Sequence, residues 1–269
     1  MSFFSTKDNV NIYYEMKGEG LPIVFIHGFT EDHNSFRIQQ KVLSKRNKVI
    51  TYDLRGHGVS DRVEHGLNLE RFALDLRELI DYLELKDLVL VGWSMGVSII
   101  FEYINIFGLE KISKLCLIDK SPKPINDDNW NLGLYHGNYT KEDALKDLEL
   151  INNNWMVFAD KFVNILSPYF TEKQCKIAME KMRSNSSHVM YSMWKSMIEK
   201  DYRDVLAKID IPTLIIFGEE STLYSVEVGE YLKMKIKNSR LEIFEDCTHL
   251  LVFENPIRLN KELDSFINN

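Results

Sequence analysis

Short apolar runs alternate with longer amphipathic stretches along most of the chain. The short runs have the length of buried strands, and the longer stretches repeat apolar residues at helical spacing. The predicted strands cover residues 3–5, 12–16, 22–27, 48–52, 88–91, 114–118, 212–217 and 240–244. The predicted helices between them cover residues 33–43, 69–83, 97–107, 226–235 and 256–267. This alternation predicts an α/β fold, with a mainly parallel eight-stranded sheet, helices on both faces and right-handed crossovers.

The alternation is interrupted between the strands at 114–118 and 212–217. Residues 120–206 contain no strand-like run, and the segment is far longer than an ordinary crossover connection. It predicts four helices, at 141–152, 155–166, 172–183 and 186–201. We interpret residues 120–206 as a helical cap inserted into a core formed by residues 1–119 and 207–269. Most of its aromatic side chains should hold the cap together, and some should face an apolar acyl or alkyl pocket. The candidates are Trp130, Trp155 and Trp194.

A G-x-S-x-G pentapeptide, Gly92-Trp93-Ser94-Met95-Gly96, lies between the strand at 88–91 and the helix at 97–107. Without that context, the pattern would describe an ordinary glycine-flanked turn. A strand, a sharp turn and a helix are the context in which it exposes a nucleophilic serine. The sharp turn should hold Ser94 in a strained backbone conformation, at a cost of roughly 1–3 kcal/mol. We therefore interpret Ser94 as a candidate nucleophile.

Several polar residues follow other predicted strands, at the edge of the sheet where open α/β folds bind their ligands. These residues are His27, Asp119, Glu219, Glu220 and His249. A serine hydroxyl stays protonated near neutral pH, so it needs a base to accept its proton during attack. Imidazole has an ordinary pKa of about 6.5 and suits that task. Among the histidines, His249 is the best placed, although a capping or surface role is the alternative.

The loop Asp53-Leu-Arg-Gly-His-Gly-Val-Ser60 is polar and rich in glycine. It contains neither G-x-G-x-x-G nor the P-loop pattern with its lysine, which argues against a nucleotide site. We expect Asp53 and Arg55 to brace the loop, and we expect His57 to be structural.

Composition narrows the class of protein further. The 269 residues carry a net charge of −7 and no dense cluster of lysine and arginine, which argues against a nucleic-acid partner. Cys116, Cys175 and Cys247 lack metal-ligand spacing, so we expect reduced thiols and neither a metal nor an organic cofactor. No apolar run could span a membrane, and the first residues lack a signal-peptide core. The expected location is therefore the cytoplasm. The pattern does not indicate an oligomeric state.

Taken together, the motifs resemble the α/β-hydrolase superfamily, in particular its capped serine esterases, across nearly the whole chain. The resemblance rests on His27-Gly28-Phe29, the Asp53–Gly58 loop, the Gly92–Gly96 pentapeptide, and a late His249 before a terminal helix. It implies a serine hydrolase for a small-molecule acyl substrate, most simply a carboxylesterase. It also implies that the backbone N–H groups of Phe29 and Met95 bind the oxyanion, with Phe29 and Trp93 at the substrate.

The triad acid is the point where the sequence departs from the common family pattern. That pattern carries G-x-x-D after the strand at 212–217, whereas Gly218-Glu219-Glu220-Ser221 stands here. Either glutamate could serve from one or two residues earlier. Alternatively, Asp119 could serve from the end of the preceding strand, as in haloalkane dehalogenases and some compact esterases. We favour Asp119.

Several reactions share these residues. Thioesterases, lactonases, carbon–carbon bond hydrolases, acyltransferases and cofactor-free haloperoxidases (perhydrolases) all fit the same motifs. A haloalkane dehalogenase or an epoxide hydrolase does not fit, because either needs a carboxylate nucleophile where Ser94 stands. A different class also fits the sequence, namely a ligand-binding or signalling protein of the same fold that turns over slowly.

Overall fold

The computed structural model describes residues 2–268, which form one sheet of eight strands. The strands are β1 (Ser2–Ser5), β2 (Asn11–Lys17), β3 (Pro22–Ile26), β4 (Lys48–Tyr52), β5 (Leu88–Trp93), β6 (Ile112–Ile118), β7 (Thr213–Gly218) and β8 (Ser239–Phe244). Their order in the sheet is β1-β2-β4-β3-β5-β6-β7-β8. β2 is antiparallel to both β1 and β4, and every pair from β4 to β8 is parallel. The predicted fold class is confirmed.

The helices connect these strands. They are α1 (Arg37–Leu43), α2 (Leu69–Tyr82), α3 (Met95–Phe107), α4 (Leu134–Gly137), α5 (Lys141–Leu166), α6 (Glu172–Arg183), α7 (Ser187–Ile198), α8 (Arg203–Leu206), α9 (Val226–Lys235), α10 (Leu251–Glu254) and α11 (Pro256–Asn268). The one-turn segments α4, α8 and α10 have no predicted counterpart, because a single turn is too short to show an apolar repeat. No helix within residues 2–268 is long and apolar enough to cross a membrane.

Successive strand residues face opposite sides of the sheet, which produces two apolar clusters. In β5, Leu88 and Leu90 belong to the cluster that contains α2 and α3. Val89 and Val91 belong to the opposite cluster, where they pack with residues of α1, α10 and α11. Because both faces are covered, the central strands read as continuous apolar runs. The nearly all-apolar α3 is likewise buried from Met95 to Ile104.

The segment between β6 and β7 carries α4 to α8, of which α6 and α7 match predicted helices and α5 differs from the prediction. Two helices were expected over residues 141–166, and the structure has one helix with a kink at Asn154 (φ −154°, ψ 71°). The Asn154 side-chain oxygen accepts a hydrogen bond from the Val157 N–H at 3.4 Å, which caps the second half. Segment residues such as Phe158 share a continuous apolar cluster with Leu117 of β6. The division into a core and a 120–206 cap stays a prediction.

Candidate active site

The turn between β5 and α3 holds Ser94 in an unusual backbone conformation, with φ 53° and ψ −119°. Its N–H donates to the Ile118 carbonyl of β6 at 2.9 Å. A Cβ on Gly96 would lie 2.1 Å from the Ile26 carbonyl oxygen, and a Cβ on Gly92 would lie 2.8 Å from the Gly96 carbonyl oxygen. Only glycine therefore fits at the two flanking positions. The result is the strained strand–turn–helix geometry that the pentapeptide predicts.

His249 lies in the loop after β8, against the end of β6. Its Nδ1 is 2.9 Å from Asp119 Oδ1, and both side chains are buried. The His249 carbonyl accepts a hydrogen bond from Trp93 Nε1 at 3.0 Å, which anchors the histidine loop to β5. A carboxylate can only accept, so Nδ1 carries the proton of this bond. The Nε2 atom of a neutral His249 is then left as a proton acceptor.

Asp119 is held in place by more than the histidine. It has a positive φ of 48°, and its N–H donates to the Ile216 carbonyl of β7 at 2.8 Å. Its Oδ1 also accepts from the Ser221 hydroxyl at 2.9 Å, and its Oδ2 accepts from the Gly218 N–H at 3.1 Å. These bonds fix the position and orientation of the carboxylate. Ser221 occupies the position where the common family pattern has aspartate. That departure from the pattern was the signal by which the sequence could have marked Ser221.

The alternative acids, Glu219 and Glu220, are exposed at the end of β7. Their backbone N–H groups donate to the carbonyls of Phe244 and Cys247, at 3.0 and 2.9 Å. Within residues 2–268, neither carboxylate makes a hydrogen bond or ion pair with His249. The structure therefore brings Asp119 to the imidazole and leaves both glutamates in solvent.

Ser94 and His249 line the same cavity. Strand-end loops form its floor, and the α4–α8 segment contributes the remaining wall. Most of its lining is apolar, including Phe29, Trp93, Leu134, Phe162, Trp194 and Leu223. No hydrogen bond joins the Ser94 hydroxyl to His249 in the described part of the chain. Such bonds are often long without substrate and tighten when substrate binds.

The expected oxyanion donors lie beside the serine. Met95 is the first residue of α3, where an N–H has no acceptor within the helix. A Cβ on Gly28 would lie 3.3 Å from Ser94 Cβ, so the backbone leading into Phe29 passes close to the serine. Within residues 2–268, the Phe29 N–H donates to no backbone acceptor. Both N–H groups are thus free to bind an oxyanion.

The aromatic candidates separate into two groups. Trp93, Trp194 and Phe29 line the cavity, and the Phe29 and Trp194 rings lie 5.4 Å apart. The lining does not include Trp130 or Trp155. Trp130 packs against Tyr231 at 5.0 Å, and its Nε1 donates to the Lys123 carbonyl at 2.8 Å. Trp155 lies behind the cavity wall, stacked on Phe158 at 5.8 Å and edge-on to Phe29 at 6.4 Å.

Two polar residues of the cavity wall were missed from the sequence. Lys120 is 5% exposed, and its Nζ donates to the Tyr224 hydroxyl at 2.8 Å. Both residues line the cavity with Ser94. Burial lowers the pKa of Lys120 to about 7. Its position directly after the candidate acid was the available signal, but sequence does not reveal burial.

The glycine-rich loop after β4 has the bracing role that was predicted. Asp53 Oδ1 accepts from the N–H and Nδ1 of His33 at 2.7 and 2.8 Å, and its Oδ2 accepts from the Val59 N–H at 2.8 Å. Arg55 donates to Asp75 at 2.6 Å and to Asp8 at 2.8 Å. His57 is buried, and burial lowers its pKa to about 3, which suits a neutral structural histidine.

One group of possible metal ligands occurs in residues 2–268, and it lies at this loop. Asp32, His33 and Asp53 place one potential ligand atom each within 4.8 Å of one another. Both Asp53 oxygens already accept hydrogen bonds, and His33 Nδ1 is one of the donors. The group is thus accounted for as part of the bracing network.

Comparison with known proteins identifies the family of this chain. A family model for the alpha/beta hydrolase fold matches residues 22–256, and the chain belongs to this family. It is 30% identical, over 273 aligned residues, to a putative non-heme chloroperoxidase from Synechocystis sp., with coverage of 96% of this chain and 95% of the relative.

Solved structures with the same fold cover the whole chain. An esterase from Exiguobacterium antarcticum superposes with a TM-score of 0.91 at 28% identity, covering 100% of this chain and 99% of the esterase. A bromoperoxidase from Bacillus anthracis superposes with a TM-score of 0.90 at 26% identity, covering 100% of both chains. These similarities support a hydrolase-type enzyme.

Proposed function

We propose that this protein is a serine hydrolase that cleaves small carboxylic esters through an acyl-enzyme. The observation that carries the proposal is the buried Asp119–His249 hydrogen bond in the wall of the cavity that also contains Ser94. The esterase among the similar structures supports the same reaction class. The largely apolar cavity favours an uncharged acyl or alkyl group beside the reacting carbonyl.

In the proposed mechanism, Ser94 Oγ attacks the ester carbonyl while His249 Nε2 accepts its proton. The Phe29 and Met95 N–H groups stabilise the oxyanion, where loss of one donor typically lowers turnover by roughly 10²–10³-fold. His249 then returns the proton to the leaving alcohol as the C–O bond breaks. Water, deprotonated by His249, attacks the acyl carbonyl. The bond between that carbon and Ser94 Oγ then breaks, His249 returns the proton to Oγ, and the acid is released. Asp119 orients the imidazole and stabilises its charged form without becoming protonated.

The first test is turnover of p-nitrophenyl esters from acetate to octanoate, with Ser94→Ala as the blank. We expect turnover by the wild type that disappears in the blank, and the chain-length profile should report the room in the cavity. Turnover that survives Ser94→Ala would contradict the proposal.

A companion test separates the enzyme from a ligand-binding protein of the same fold. A fluorophosphonate probe should label Ser94 rapidly, because the reaction needs an activated serine. Slow labelling, combined with tight ligand binding and negligible ester turnover, would favour the ligand-binding alternative.

A second candidate activity is perhydrolysis, which the chloroperoxidase and bromoperoxidase relatives favour. In that reaction hydrogen peroxide replaces water as the attacking nucleophile and releases a peracid from the acyl-enzyme. The peracid then oxidises halide in solution. The test is bromination of monochlorodimedone with acetate, peroxide and bromide. We expect the bromination to require both acetate and Ser94. Bromination without acetate would exclude an acyl-enzyme route.

A further inference from the structure

The charges in the cavity wall are distributed unevenly. Besides His249, the charged lining residues within residues 2–268 are Glu31 and Lys120. Glu31 is paired with Lys181 at 2.6 Å and accepts from the Ser35 hydroxyl at 2.7 Å. In the described part of the chain, no carboxylate lies within ion-pair distance of Lys120. Of these two charged residues in the cavity wall, Glu31 has an ion-pair partner and Lys120 has none within the described residues.

The neighbouring carboxylate acts on the amine only at a distance. Asp119 precedes Lys120 in the chain and its charge opposes the lowering of the Lys120 pKa, but its oxygens make their hydrogen bonds with other groups. Oδ1 accepts from His249 and Ser221, and Oδ2 accepts from the Gly218 N–H. The hydrogen-bond partner of Lys120 Nζ is the neutral Tyr224 hydroxyl. An ammonium has three donors, so two remain unused in this arrangement.

Burying an ammonium without a carboxylate is costly, and an enzyme has no structural need for one here. A methionine would fill the same space among the apolar lining residues. Tyr224 holds the lysine head close to the reaction centre, because its ring lies 6.0 Å from the His249 ring. The cavity thus places one unpaired, buried amine beside the proposed base.

We propose that Lys120 is a specificity determinant that binds a carboxylate group carried by the ester substrate. The substrate class is therefore an ester with one free carboxylate, on either the acyl or the alcohol portion. This inference builds on the proposed esterase function. The incoming carboxylate would supply the missing counter-ion and accept the unused donors, and such charge-assisted bonds are stronger than neutral ones. Binding would also favour the protonated amine, whose pKa in the free protein is about 7.

The kinetic test compares esters matched in shape but not in charge. Monomethyl glutarate against methyl pentanoate places the carboxylate on the acyl portion, and 4-acetoxybenzoate against 4-methylphenyl acetate places it on the alcohol portion. For at least one pair, the wild type should prefer the anionic member. In Lys120→Met, the anionic-to-neutral ratio of kcat/KM should fall by about 10- to 100-fold, mainly through KM. Lys120→Arg should retain part of the preference.

Lys123→Met is the matched control. Lys123 lies three residues further along, pairs with Asp127, and is not part of the cavity wall. Its substitution should leave both ratios as in the wild type. Thermal melting would verify that each variant is folded. A wild-type ratio near one for both pairs, or an unchanged ratio in Lys120→Met, would overturn the proposal.

A binding test separates this proposal from the proposed hydrolysis. In the Ser94→Ala protein, calorimetric titration with monomethyl glutarate should show affinity at least about tenfold higher than with methyl pentanoate. Lys120→Met in the same background should abolish that difference. If the preference is present but the wild type hydrolyses no ester, carboxylate recognition stands and the esterase proposal fails. If esters are hydrolysed without any such preference, only the Lys120 proposal fails.

Discussion

Two neighbouring loops at the edge of the sheet contain acidic residues, and only one of them reaches the histidine. The loop after β6 carries Asp119, which is fully buried and bonded to His249. The loop after β7 carries Glu219 and Glu220, which are exposed. The second loop nevertheless contributes to the same carboxylate, through the Ser221 hydroxyl and the Gly218 N–H.

The two loops also differ in backbone conformation. Asp119 has a left-handed φ of 48°, at the point where its N–H still pairs with β7. The Asp119 side chain lies between Gly218 of β7 and His249 of the histidine loop, and it is hydrogen-bonded to both. The glutamate N–H groups instead bond to the chain at and after β8, which holds the loop close to the sheet. A Cβ on Gly218 would lie 2.3 Å from the Thr248 carbonyl oxygen, so the end of β7 packs closely against the histidine loop after β8.

The largest expected effect comes from removing the charge of the first loop. Asp119→Asn should lower kcat by about 10³–10⁴-fold, because asparagine cannot stabilise the imidazolium and can hold the wrong tautomer. Glu220→Gln should change kcat by about twofold or less, since it alters an exposed side chain. Steady-state kinetics on a p-nitrophenyl ester would measure both. A large loss in Glu220→Gln with little change in Asp119→Asn would assign the acid to the loop after β7 and contradict the proposal for Asp119.

The sequence predicts the local parts of this site and not the contacts between distant segments. Ser94 and His249 were candidates because a strand–turn–helix pattern and a late loop histidine are local signals. Asp119 was preferred from its place after a strand, with the glutamates left open. Ser221 and Lys120 could not be assigned, because their roles depend on which loops meet across β6 and β7.

The helices between β6 and β7 show the same limit. Their existence followed from apolar spacing, but the rotation of each helix about its axis depends on tertiary packing. Trp194 therefore faces the cavity, whereas Trp155 stacks behind its wall, although both are apolar positions on predicted helices. Phe162 lines the cavity and was not singled out from the sequence.

A smaller effect should follow from removing the hydroxyl that the second loop donates. Ser221→Ala should lower kcat by about 3- to 10-fold with little change in KM, because one hydrogen bond to the Asp119 carboxylate is lost. Thr222→Val is the matched control, since the neighbouring Thr222 hydroxyl is buried without a partner in residues 2–268. Equal losses in both variants would mean that the loop acts through packing rather than through this bond.

The last expected effect is on the free energy of unfolding rather than on turnover, because the first loop carries a buried amine directly after Asp119. The folded pKa of Lys120 is about 7, against an ordinary value of 10.5, because burial disfavours the ammonium. The nearby charge of Asp119 opposes this lowering, and the Tyr224 hydroxyl accepts a hydrogen bond from the amine. Between about pH 7 and pH 10.5 the Lys120 amine is therefore protonated to a larger fraction in the unfolded chain than in the folded protein. The contribution of Lys120 to the unfolding free energy should rise with pH across that window, by at most about 1.4 kcal/mol per pH unit.

Urea unfolding of the wild type and Lys120→Met at pH 7, 8 and 9 would isolate this contribution, because other titrating groups are common to both proteins. Methionine has no proton to lose, so the stability of the variant relative to the wild type should be greatest at pH 7 and shrink as the pH rises. Below about pH 7 the amine is protonated in both states, and the difference should level off. A difference that is constant from pH 7 to 9 would mean that the amine titrates normally in the folded protein. The pKa of Lys120 would then be close to that of a solvated lysine. The buried carboxylate of Asp119 would be the remaining difference between the loops after β6 and β7.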